Sequence, residues 1–116
     1  MIRFKKGISI RTVDRQMTHF WLDRVHEVWQ KAFPGYTMWV TSGFRDDGSS
    51  HSVGKALDLR RPDQPQYMVP VSTARVVDFC RILQLYYGDF IGVQLEPEWG
   101  KGKGYTAPHI HIQLKE

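Results

Sequence analysis

The chain is short of cysteine, of long apolar runs and of internal repeats. Cys80 is its one cysteine among 116 residues, so no disulfide can form within it and oxidation cannot staple the fold. It falls in an apolar helical stretch and reads as a small buried hydrophobe, with a thiol nucleophile as the lesser alternative. No apolar run approaches the roughly 20 residues of a membrane-spanning helix. The basic start Met1-Ile2-Arg3-Phe4-Lys5-Lys6 lacks the following apolar stretch of about 7–15 residues that a secretory signal needs. The expectation is a product made in the cytoplasm without a signal peptide. No low-complexity segment or linker interrupts the sequence, which fits one domain over residues 1–116.

What is present suffices for one packed core: 41% of the residues are hydrophobic, which argues against a disordered chain. The formal net charge is +4. A basic surface suits polyanions such as an anionic cell wall. A nucleic-acid binder, however, wants its Lys and Arg clustered on one face among exposed aromatics. Here the basic residues are scattered, and Trp21, Trp29 and Tyr86 read as helix core. No nucleic-acid partner is expected, and a monomer is the favoured state.

Periodicity orders the chain α-β-β-α-β-β. Residues 12–32 read as a long amphipathic helix, with Val13, Met17, Phe20, Trp21, Val25, Val28, Trp29 and Ala32 recurring mostly at spacings of three and four. Pro34-Gly35 ends it. His19 and His26 lie two turns apart, too far for a helical metal pair, and read as surface or core-edge residues. Strands follow at residues 38–42 and 55–60, separated by a polar loop at 43–48. Residues 61–70 hold three prolines and read as a loop. Ser72 can cap a second helix running to Tyr87, with Val76, Val77, Phe79, Cys80, Leu83 and Tyr87 as its apolar set. Gly88 stops it. Residues 91–96 and 109–114 read as strands around a Gly-rich loop at 97–107. Such segregated elements with short connections predict an α+β domain, a small mainly antiparallel sheet flanked by two helices.

Two segments carry chemistry. In the first, residues 49–58, His51 ends a polar loop and Asp58 stands in a strand between Leu57 and Leu59. Strand alternation turns Asp58 away from its apolar neighbours. A carboxylate there needs a partner, either a metal or an arginine such as Arg45 or Arg60. In the second, Pro108-His109-Ile110-His111-Ile112, period two places His109 and His111 on one face and Ile110, Ile112 and Leu114 on the other. One imidazole can ligate a metal while its neighbour handles protons. Two histidines and a carboxylate form a common catalytic zinc set with an open fourth position.

These residues resemble the zinc D-Ala-D-Ala carboxypeptidase/endopeptidase family of the hedgehog/DD-peptidase fold. Ser49, His51, Gly54, Ala56 and Asp58 match every fixed position of its S-x-H-x-x-G-x-A-x-D signature. Residues 41–45, Thr-Ser-Gly-Phe-Arg, look like the stretch preceding that signature, and His109-Ile110-His111 looks like its H-x-H element. The resemblance implies Zn2+ held by His51, Asp58 and His111, with His109 as the base or the group stabilising the transition state. It implies that Arg45 binds substrate and that Ser49 supports the site through hydrogen bonds. The implied substrate is the peptide stem of peptidoglycan, cut beside D-residues. A phage lysis or virion-borne enzyme is the expected context, with a bacterial recycling enzyme as the alternative. The chain departs from the pattern at Pro108, where other branches place a catalytic Glu; Glu96 and Glu98 are the remaining carboxylates upstream. Hedgehog-type domains also keep zinc-site residues while acting by recognition, so a non-catalytic zinc-containing binding module is the alternative function.

Overall fold

The computed structural model describes residues 1–8, 17–43, 55–96 and 108–115. Strand β1 (Ile2–Phe4) is followed by a π-helical turn (Met17–Trp21) that runs directly into helix α1 (Leu22–Ala32). Strands β2 (Met38–Ser42) and β3 (Ala56–Arg60), helix α2 (Thr73–Tyr87), and strands β4 (Ile91–Glu96) and β5 (His109–Leu114) complete the order. The architecture is α+β: a five-stranded sheet in the order β1-β2-β3-β5-β4. It is mixed, because β1 runs parallel to β2 while the other three pairings are antiparallel.

The helical stripe is narrower than its apolar composition. Met17, Trp21, Val25, Trp29 and Phe33 follow one another at steps of four, and all are buried. Residues four apart share a helix face, so this stripe faces the sheet. Phe20 does not join it: it is 44% exposed, with the Arg24 guanidinium 4.0 Å above its ring. Past the helix, Gly35 takes a φ of +82°, a conformation that costs glycine little. The first five residues of the expected helix, 12–16, lie outside the described residues.

Helix α2 starts where expected. The Ser72 hydroxyl accepts a hydrogen bond from the Arg75 N–H at 3.3 Å, satisfying one of the donors that a helix start leaves open. Its buried face is Val76, Phe79 and Leu83. Tyr86 stands off that line and is 68% exposed, which corrects its expected place in the core. Among the described residues no helix is long and apolar enough to cross a membrane.

The sheet sorts its residues by alternation. Met38, Val40, Leu57, Leu59, Ile91, Ile110 and Ile112 pack with the apolar faces of α1 and α2 into one core cluster. The residues between them therefore point to the opposite face. On that face the ladders align Asp58 with His111 and Gln94, and Arg60 with His109 and Glu96.

Candidate metal centre

Asp58 lies in β3 between two core leucines and is 3% exposed. Burying a carboxylate is costly unless charge or hydrogen bonds meet it. Here β5 meets it. His111 is its direct cross-strand partner, and His111 Nδ1 lies 2.9 Å from Asp58 Oδ1. His109, on the same face of β5, brings Nε2 to 3.6 Å from the same oxygen. The two imidazole rings stand 6.4 Å apart at 78°. Of the partners open to Asp58, the structure selects these histidines over Arg60, whose guanidinium lies 5.2 Å from the Trp39 ring centroid.

One donor-type atom from each of Asp58, His109 and His111 lies within 4.8 Å of the other two. Ligands about 2.0–2.1 Å from a tetrahedral ion stand about 3.4 Å apart. The two contacts to Asp58, of 2.9 and 3.6 Å, bracket that spacing. The donor chemistry agrees. His111 presents Nε2 to Gln113 Oε1 at 2.9 Å and Nδ1 to Asp58 Oδ1 at 2.9 Å. Both partners are acceptors, whereas a neutral imidazole carries a single N–H. An imidazolium donates to both; a neutral ring that donates Nε2–H to Gln113 instead turns its Nδ1 lone pair to the carboxylate, where the two can share a cation. Asp58, His109 and His111 thus form a group with the donors and spacing to bind a metal ion.

Gln113 was not signalled as part of the site, although period two already places it on the face of His109 and His111. From there its Oε1 is placed to accept the His111 Nε2–H, a common device around metal-binding histidines. Of the two upstream carboxylates, Glu96 is placed beside the site: β4 neighbours β5, and Glu96 is directly opposite His109. The Glu96 backbone carbonyl accepts a hydrogen bond from Arg61 Nη1 at 3.2 Å. Arg61 in turn grips Asp63 through Nε and Nη2, at 3.0 and 2.6 Å. This buried pair ties the end of β3 to the end of β4. His51, Arg45, Ser49, Gly54 and Glu98 lie outside the described residues.

The other titratable candidates fall away from the centre. His19 is exposed. His26 sits 3.1 Å from the Met1 amino group; burial and that positive charge push its pKa down, against an opposing pull from Asp23. Burial drives the Cys80 thiol up to about 12 despite the nearby Arg61 charge, so it is a protonated thiol at neutral pH and a poor nucleophile. Among the described residues, no other group of three histidines, cysteines or carboxylates converges on a common point.

No protein-family model matches the chain, and neither a curated protein nor a solved structure matches it. The likeness to zinc D-Ala-D-Ala peptidases therefore rests on the motif residues themselves.

Proposed function

We propose that this chain is a small zinc-dependent peptidase of the hedgehog/DD-peptidase type, hydrolysing bonds next to D-amino acids in peptidoglycan stem peptides. The observation that supports this best is the convergence of Asp58, His109 and His111 on the sheet face opposite the helices. In this reading Asp58 and His111 hold the metal together with His51. Asp58 supplies the negative charge, and Gln113 keeps the His111 ring turned towards it. Bound zinc supplies Lewis acidity and makes water acidic enough to act as a nucleophile near neutral pH. His109, beside the ligands, takes a proton from the attacking water or delivers one to the leaving amine. Arg45 orients the substrate and Ser49 supports the site. The working place is the cell wall, reached by phage lysis or from a virion.

The spacing of the described residues favours a second ligand assignment, with His109 as a metal ligand. Zinc content of His109→Ala separates the two. Retained zinc with lost turnover makes His109 the proton-handling group; lost zinc makes it a ligand.

The test of the function is elemental analysis beside cleavage of purified peptidoglycan, with and without a chelator. One zinc per chain and chelator-sensitive cleavage is the expected result. Zinc without cleavage would favour the binding module. Neither would end the metallopeptidase reading.

A further inference from the structure

Helix α2 carries a second apolar stripe besides the one that enters the core. Ile82, Leu85 and Tyr86 stand three and four residues apart, so they share one helix face. All three are exposed, Leu85 by 81%. The stripe continues beyond the helix. Tyr86 meets Tyr87 at 6.3 Å between ring centroids. Tyr87, Phe90 and Phe20 surround the Trp21 ring at 5.2, 5.6 and 4.9 Å. At roughly 200 Å² per large side chain, the exposed fractions of Phe20, Ile82, Leu85, Tyr86 and Phe90 amount to about 600 Å². Apolar patches of that size on a chain's surface mark interaction sites. A stable interface buries about 800 Å² per partner, which this patch reaches with its polar rim.

The charges on the patch identify its occupant. Arg81 and Asp89 lie four residues either side of Leu85, on one ridge of the helix surface. Gly88 keeps helical backbone angles, φ −62° and ψ −17°, so the ridge reaches Asp89. Both charged residues are exposed, and neither has an ion-pair partner among the described residues. A cation, an apolar residue and an anion at equal steps along one ridge are self-complementary. A twofold axis through Leu85 sets a second α2 antiparallel to the first, places the two Leu85 side chains together and brings each Arg81 opposite the partner's Asp89. Recesses on either side of α2, one lined by Val28, Ala32 and Ile82 and the other by Cys80, Val93 and Leu95, leave room for the opposing side chains. An anionic membrane would call for a basic rim; here Glu27, Asp78 and Asp89 alternate with Arg24, Lys31 and Arg81. From these relations we infer that the outer face of α2 joins two copies of this chain, in place of the expected monomer. Helix α2 packs on the core side of the sheet, so the contact leaves Asp58, His109 and His111 open in both copies. The inference does not depend on the peptidase reading.

The test is the mass of the full chain in solution, followed by sedimentation velocity from about 1 to 200 μM, the micromolar range open to an interface of this size. Wild type is expected to pass from the mass of one chain to that of two. Leu85→Lys, which sets two cations face to face on the axis, should weaken the dimer about tenfold or more. Arg81→Glu and Asp89→Arg each bring like charges together twice, and each should weaken it about tenfold. The chain carrying both exchanges the pairs and should return to within about threefold of wild type. These positions are exposed, so the fold should hold, with circular dichroism as the control. A chain that stays monomeric throughout overturns the inference. If that monomer binds phosphatidylglycerol vesicles, the face is a membrane surface instead. A dimer that withstands Leu85→Lys, or that the double exchange does not restore, also overturns it, because the contact then lies elsewhere. Zinc content and cleavage judge the peptidase reading separately.

Discussion

His111 and Asp58 face each other across the β3–β5 ladder with Nδ1 and Oδ1 2.9 Å apart. Their contact is the least adjustable part of the centre, because both backbones are fixed by sheet pairing and both flanking apolar sets lie in the core. Asp58→Asn keeps the shape and removes the negative charge. It should weaken zinc binding by more than about 100-fold, since even partners outside the ligand shell cost about 10–100-fold. Equilibrium competition against a chelator would measure it, and an unchanged affinity would remove Asp58 from the ligand set.

Gln113 offers a subtler test. Its Oε1 lies 2.9 Å from His111 Nε2, where accepting that N–H would leave Nδ1 free to ligate an ion. Gln113→Ala should lower zinc affinity about 10–100-fold without abolishing it. Gln113→Glu, which keeps an acceptor in place, should retain most of the affinity. Equal loss in both variants would mean that the amide packs against the ring without orienting it.

Much of this arrangement was legible in the sequence where periodicity and chemistry coincide. Strands β2, β4 and β5 and helix α2 lie within the expected limits because each couples a clear apolar period to a marked end: Ser72 before α2, Gly88 after it, alternating isoleucines in β5. The same alternation turned Asp58 away from its leucine neighbours and placed His109 and His111 on one face; that the three share a face comes from the β3–β5 register. Strand β1 was missed because three residues, Ile2–Phe4, are too few to show a period, and its pairing with β2 is a tertiary event. Phe20 and Tyr86 misled for a different reason: hydrophobic spacing gives the width of an apolar stripe but not which edge the sheet covers. Gln113 carries no motif, and its meaning comes from register.

The Arg61–Asp63 pair predicts a pH-dependent stability. Burial alone would raise the Asp63 pKa, but hydrogen bonds from Arg61, Gln64 and Thr73, with the Arg61 charge, outweigh it and hold the pKa below the usual value. A carboxyl depressed in the folded state stabilises fully above its unfolded pKa of about 3.9 and loses that contribution as pH falls through the folded value. Asp63→Ala should therefore cost stability at pH 7, on the order of 3 kcal/mol because it strands Arg61. The cost should shrink as pH falls below the unfolded value of about 3.9 and on through the lower folded one, where wild type itself becomes protonated. Urea titrations of both proteins at pH 7 and pH 3 would show it, and an equal difference at both would place the stabilisation outside the ionised carboxylate.

Cys80 separates metal chemistry from thiol chemistry. Its pKa of about 12 leaves almost no thiolate at pH 8, and it stands in α2, which packs on the core side of the sheet, away from the face that carries Asp58, His109 and His111. The native protein should react with a disulfide reagent slowly at pH 8, and rapidly once urea exposes a thiol of ordinary pKa near 8.5. Cys80→Ala should keep both zinc content and any peptidoglycan cleavage. Fast labelling of the native chain, or cleavage lost with zinc retained in Cys80→Ala, would move the chemistry from the histidines of β5 to the helix behind the sheet.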